Sequence, residues 1–135
     1  MILPPNSIIA SGPVIIENNK VLLDRENKNG RITPWFFPGG IVDSFDEPLT
    51  EACKREAKEE LNLDIEILKP LETLLHYDQN ENRLVILCHY LCRRLGDDNT
   101  IQKGDIVCDW AWHDINNLPS DCAPNVYEII KDLKL

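Results

Sequence analysis

The sequence predicts an α/β fold, a mixed sheet with helices packed on both faces. Three observations carry that expectation. Extended apolar runs come first, then an amphipathic helical segment, then further extended runs and a second helical segment. The run Arg83 to Leu95 (RLVILCHYLCRRL) is the longest apolar stretch. Its β-branched and aromatic content suits a central strand, and it lacks a polar face of helical period. Pro124 to Leu135 places Val126, Ile129, Ile130 and Leu133 at helical spacing, which reads as an amphipathic C-terminal helix. A length of 135 residues suits one domain, residues 1–135, with a single core.

Taken in order, Met1 to Asn6 is short, proline-bearing and loose. Ile8–Ala10 and Val14–Ile16 read as extended, Glu17–Lys20 as a turn, and Val21–Arg25 as the returning arm of a hairpin. Glu26 to Pro34 (ENKNGRITP) is polar, contains Gly30 and Pro34, and reads as a loop ahead of a strand at Trp35–Phe37. A helix follows within Pro38 to Leu63. Asp64 to Leu75, broken by Pro70, reads as one bent strand or two short ones, and His76–Asn82 as a polar turn. After Arg83–Leu95 come a turn at Gly96–Thr100 and a strand at Ile106–Ile115.

Apolar and charged fractions of 43% and 27% are ordinary for a globular chain. No apolar run approaches the roughly 18 residues that a spanning helix needs, and the start lacks a signal-type core. A cytoplasmic location and no membrane partner are expected. Five scattered cysteines without a C-x-x-C pair suggest reduced, mostly buried thiols rather than a disulfide framework or a zinc site. The net charge of −9 argues against a nucleic-acid backbone as partner, since that backbone is itself anionic. A small nucleotide is compatible with it, because bound cations and local Arg or Lys handle its phosphates. A homodimer is compatible as well.

The stretch most loaded with chemistry is PGGIVDSFDEPLTEACKREAKEELNL, Pro38 to Leu63. Glu56, Glu59 and Glu60 stand at i, i+3 and i+4, which on a helix places them within about 100° of arc. Leu49, Ala52 and Cys53 fall on the same arc one and two turns earlier, so a core-facing stripe ends in acids. Carboxylates gathered there repel one another, and burial raises their pKa values unless something compensates. A hard divalent cation, Mg²⁺ or Mn²⁺, is the natural compensation. An isolated E-x-x-E-E reads as a solvated helix face. Here Gly39 and Gly40 stand just upstream and permit close backbone approach to an ion or phosphate. Arg55 is placed to pair with Glu51 or Glu59 and fix their orientation.

These residues resemble the box that defines the Nudix family, G-x5-E-x7-R-E-U-x-E-E-x-G-U with U aliphatic. Arg55, Glu56, Ala57, Glu59 and Glu60 match its hexad, and Glu47 is separated from Arg55 by seven residues as the pattern asks. One extra residue separates Gly40 from Arg55, and Asn62 replaces the final glycine. Asn tolerates the left-handed conformation best after Gly, so the helix cap survives that change. The W-h-D-I-x-x-L-P pattern around Trp112 also resembles the close of a Nudix domain.

The resemblance implies an α/β/α sandwich and a metal-dependent pyrophosphohydrolase that cleaves the diphosphate of a nucleoside diphosphate linked to another moiety. It implies Glu56, Glu59, Glu60 and the Gly39 carbonyl as holders of Mg²⁺ (or Mn²⁺), with Arg55 orienting the glutamates. Glu47, or Asp46 given the extra residue, is a weaker helper. The general base is expected at Glu56 or Glu59 first and at Asp109 second, with Asp105 and Asp98 as later-loop candidates. Arg25, Gly40, Glu47 and Asp109 are the expected substrate contacts; Lys28 and Arg31 are weaker phosphate candidates than Arg25. Trp35, Tyr77 or Trp110 offers a face for a base to stack on. Trp110 and Trp112 share one strand face, and Trp112 reads as core. His89 reads as core or strand-facing, His76 and His113 as surface. The subfamily signs are mixed. Trp35–Gly40 matches the W-F-x-P-G-G of GDP-mannose hydrolases, which depart from the acids kept here, and Tyr77 falls early for a diadenosine polyphosphate hydrolase. A nucleotide-binding sensor with the same fold and little turnover is the alternative.

Overall fold

The structure, a computed structural model, describes residues 1–97 and 100–133. Its elements run β1 (Ile8–Glu17), β2 (Lys20–Lys28), β3 (Arg31–Ile32), β4 (Gly40–Ile41), α1 (Leu49–Leu61), β5 (Asp64–Pro70), β6 (Leu74–Asp78), β7 (Arg83–Leu95), β8 (Val107–Asp114) and α2 (Pro124–Leu133). Among the described residues the strands join in the order β3-β2-β1-β7-β5, with β4 on β1, β6 on β7 and β8 on β2. The sheet is mixed. β1 and β7 run parallel from Ile8↔Val85 to Ile15↔Cys92, and β2–β8 and β5–β7 are antiparallel. β7 is paired along both edges, as the sequence predicts for Arg83–Leu95.

The pleat sends alternate side chains to opposite faces, and the core divides accordingly. Val14, Val21 and Leu23 pack with Trp35, Phe37, Val126, Ile129 and Ile130 on the α2 side. Ile15, Leu22 and Cys92 pack with Cys53, Ala57, Leu61 and Leu63 on the α1 side. Each large apolar side chain so buried contributes about 1.5–3 kcal/mol, so both helices are held by their inward stripes. Trp110 and Trp112 both pack on the α1 side, in agreement with their shared parity.

One departure from plain sheet geometry positions the site. β1 and β2 pair at Ile16↔Val21 and Glu17↔Lys20, around Asn18 and Asn19 at φ 52° and 61°. Farther along, β1 takes β4 as partner at Ala10↔Ile41 and Ser11↔Gly40. β2 instead exchanges backbone hydrogen bonds with the incoming chain, Asp24 N–H to Phe36 O at 2.9 Å and Phe36 N–H to Asp24 O at 2.8 Å. Trp35 to Ile41 therefore threads between the two strands. The close approach needs glycine. A Cβ on Gly12 would lie 2.0 Å from Pro38 O, and one on Gly39 2.7 Å from Ser11 O. The Ser11 hydroxyl donates to Leu49 O at 3.0 Å and ties β1 to the start of α1.

At its other end α1 stops at Asn62, which adopts φ 57°, ψ 38°. Its N–H reaches Lys58 O at 3.0 Å and Leu63 N–H reaches Ala57 O at 3.2 Å, a left-handed helix stop. The loop after β7 takes the last helix carbonyls, with Gln102 N–H on Leu61 O at 3.0 Å and Gly104 N–H on Glu60 O at 2.7 Å. Asn62 Nδ2 adds a bond to Thr100 O at 3.0 Å.

Three local expectations are corrected. Residues 26–34 are not all loop: β2 continues to Lys28 and returns through Asn29 and Gly30 (φ 54° and 86°) into β3. Asn-Gly is the preferred two-residue hairpin turn, and that signal outweighs the polarity of the segment. Trp35 and Phe36 form isolated bridges, to Cys122 and Asp24, rather than a ladder strand. His76 to Asp78 belong to β6, because Tyr77 and Asp78 pair with Leu84 and Arg83. All five cysteines are free, and Cys53, Cys88, Cys92 and Cys122 are buried. No helix among the described residues is long and apolar enough to cross a membrane.

Candidate active site

The site lies where α1 faces β2 and the glycine crossing. On α1 the buried positions are Ala52, Cys53, Glu56, Ala57, Glu60 and Leu61. Glu56 and Glu60 thus continue the apolar stripe, as expected. Glu59 does not; its side chain is 59% exposed. The six buried positions centre between Cys53 and Glu60, and Glu59 lies roughly 110° from that centre at about 100° per residue.

The Glu56 carboxylate sits on the glycine turn. A Cβ on Gly40 would come within 2.1 Å of Glu56 Oε2, so only glycine lets the carboxylate rest there. Its other oxygen accepts from Arg55 Nη1 at 2.8 Å. Burial pushes the Glu56 carboxyl up from its ordinary value, against the pull of that hydrogen bond.

Arg55 gathers the neighbouring acids. Its Nε donates to both Glu47 oxygens at 3.1 Å, its Nη2 to Glu47 Oε1 at 3.0 Å, and its Nη1 reaches Glu59 Oε1 at 3.4 Å. Asp43 Oδ1 lies 3.9 Å from Nη2. The guanidinium is held charged, first by Glu47. Glu47, expected to help at the substrate, is spent on Arg55, and Asp46 is exposed. Glu51 pairs with Lys54 at 3.5 Å, not with Arg55.

Two acids that sequence reasoning missed complete the cluster. Asp24, 1% exposed, and Glu26, 9% exposed, alternate with Arg25 along β2 and face α1 with Leu22. The Asp24 carboxyl is hydrogen bonded to that of Glu60, and burial drives both upward, Glu60 the further. The charges of Glu26 and Glu56 add to the rise at Glu60. Glu26 is raised by burial and eased by Lys28. Asp24 Oδ2 is buried without a hydrogen-bond partner. The signal was present in the sequence as acids on the inward parity of a half-buried strand.

Arg25 and Asp109 are not brought to these acids. They are cross-strand partners, and their parity is that of Leu23 and Ala111, on the α2 side. Arg25 lies 4.4 Å from the Trp35 ring centroid and pairs with Asp121. Asp109 accepts from Trp110 N–H at 2.9 Å. Trp35 is buried edge-on to His113 at 4.5 Å, so His113 is half-buried rather than a surface residue. Tyr77, 51% exposed, is bonded to Asn82 on the β6–β7 turn. Trp110 stands opposite Asp24 on β8, beside the cluster. His89 is core, held by Glu72 O at 2.9 Å and Asn125 at 3.0 Å. Asp105 is exposed. Asp98 lies outside the described residues.

No three His, Cys, Asp or Glu side chains among the described residues converge in the geometry of a metal ion. The donor set fits a hard cation nonetheless. Mg²⁺ is commonly held by one or two carboxylates, completed by water and substrate phosphates. Glu60 and Asp24 offer such a pair, buried, carboxyl against carboxyl, with one oxygen unpartnered.

A mixed sheet between helices, with buried carboxylates along one of them, defines the class as an α/β sandwich with an acidic site. The NUDIX domain family model matches residues 9–133. An RNA pyrophosphohydrolase of Pelagibacter ubique is 28% identical over 135 residues, covering 90% of this chain and 84% of its own. An ADP-ribose pyrophosphatase of Methanocaldococcus jannaschii is 30% identical over 124 residues, covering 92% and 71%. The fold superposes on a MutT NUDIX hydrolase from Burkholderia pseudomallei with a TM-score of 0.83 at 21% identity, over 96% of this chain and 99% of that one. The chain belongs to the Nudix hydrolase family.

Proposed function

We propose that this hydrolase is a divalent-metal-dependent pyrophosphohydrolase acting on a nucleoside diphosphate linked to another moiety, a (deoxy)nucleoside triphosphate or a nucleotide derivative. Mg²⁺ is its cofactor and Mn²⁺ a substitute. The observation that carries this reading is Glu60, 7% exposed, whose carboxyl faces Asp24 instead of a basic group. Glu56, Glu59, Glu60 and the Gly39 carbonyl hold the metal. When bound, it neutralises the diphosphate oxygens and lowers the pKa of attacking water.

Arg55 is a positioning residue, holding Glu56 and Glu59 through the same guanidinium that Glu47 anchors. Glu59 is the acid with open access to solvent, and it takes the proton of the attacking water. Gly40 keeps the Glu56 carboxylate against the backbone, where a side chain would push it off.

The two relatives' names share a pyrophosphate bond and differ in what it joins. A net charge of −9 favours a small nucleotide over a long polyanion. The test is phosphate and pyrophosphate release in millimolar Mg²⁺, wild type beside Glu56→Gln. Substrates would span nucleoside triphosphates, ADP-ribose, sugar nucleotides, dinucleoside polyphosphates and a 5′-triphosphorylated oligoribonucleotide. Turnover of one class that is lost in the variant supports the reading and names the substrate group. Metal-dependent binding without turnover of any compound replaces it with the sensor.

A further inference from the structure

The box residues leave one buried acid unexplained. Asp24 lies on β2, outside the stretch that carries the family resemblance, at a strand position flanked by Leu22, Leu23 and Arg25. Its backbone is fully used, donating to and accepting from Phe36. Its side chain is not. The residue is 1% exposed, one oxygen is unpartnered, and its carboxyl meets that of Glu60 rather than any cationic side chain. A purely structural aspartate so placed is costly, since a second buried acid offsets little of its desolvation and no basic group is supplied.

We infer that Asp24 is a direct ligand of the divalent cation, sharing it with Glu60 across the gap between β2 and α1. The inference rests on the metal-dependent reading above and extends the donor set from α1 to a second element. Two carboxylates from separate elements suit a cation that keeps water and takes substrate phosphate in its remaining positions. The glycine crossing explains why Asp24 reaches the site. Phe36 is pinned to Asp24 by two backbone bonds, so Asp24 and the Pro38–Gly40 turn are fixed relative to each other before α1 begins. Metal binding at Asp24 therefore reports directly on the alignment of that turn with Glu60.

Two measurements test it without reference to turnover. Mn²⁺ binding is titrated by electron paramagnetic resonance on wild type, Asp24→Asn and Glu60→Gln, with the melting temperature of each metal-free protein recorded alongside. The expected result is a Kd raised about 10-fold or more in Asp24→Asn, with no loss of metal-free melting temperature, since the amide still donates to Glu60. A Kd within two-fold of wild type overturns the inference. Wild-type crystals soaked in Mn²⁺ provide the second test, a direct view of the ligands. An anomalous peak within about 2.5 Å of an Asp24 oxygen is expected. A peak at Glu56, Glu59 and Glu60 that leaves Asp24 uncoordinated overturns the inference alone. Absence of any Mn²⁺ binding overturns it together with the metal-dependent reading.

Discussion

Glu17 and Asp24 sit on adjacent strands, and the fold treats them in opposite ways. Glu17, at the end of β1, accepts two parallel bonds from Arg94 of β7, at 2.9 and 2.7 Å. That fork, the largest influence on it, holds its carboxyl below the usual range. Asp24 is far more buried, has Glu60 for a partner, and is raised. The chain supplies an arginine to the acid at the sheet end and none to the acid beside α1. Where a fold tolerates like charges in its interior, a ligand of opposite charge is the compensation to look for.

The sharpest way to break that contrast is Glu60→Gln. On the proposed assignment it removes a metal holder, so Mg²⁺-dependent hydrolysis is expected to fall at least about 100-fold, while the metal-free protein melts no lower than wild type. Gly40→Ala comes next. Its Cβ would displace the Glu56 carboxylate, and kcat is expected to fall about 10-fold or more with the sheet intact by circular dichroism.

How far these residues were legible in the sequence follows local geometry. The α1 acids, the Arg55 partner and the Asn62 stop are short-range features, set by helical period and by one tolerated left-handed residue. β7 was equally plain, because a strand covered on both edges shows a long apolar run. Asp24 was hidden in such a run. Whether a strand acid is buried depends on which face meets a helix, and Glu60 arrives from a distant part of the chain. Arg25 misled for the same reason: its parity sends it to Trp35 and Asp121, far along the sequence from β2. Glu59 was placed inward by counting residues alone, whereas the packed positions rotate the buried arc away from it.

pH sharpens the contrast further. An unfolded aspartate loses its proton near 4, whereas folded Asp24 keeps its own up to about 7. Between those values the folded state binds more protons, so this contribution to stability is lost as pH rises. In EDTA, the melting temperature of wild type is expected to fall more than that of Asp24→Asn between pH 5 and 8, by several degrees. A parallel pair of curves contradicts it. The smallest effect belongs to Glu17→Gln, which loses a half-exposed pair worth about 1 kcal/mol or less. Its melting temperature drops slightly, and its hydrolysis rate matches wild type.

The most direct test of a cation-holding acid cluster is the melting temperature of metal-stripped wild type at pH 8 against rising MgCl₂, with Glu60→Gln beside it. Binding to the folded state alone raises wild type progressively with concentration, by several degrees once Mg²⁺ is about 100-fold above its Kd, while Glu60→Gln stays nearly flat. Equal curves for the two proteins, or no rise in wild type, would contradict the assignment of these carboxylates to a metal.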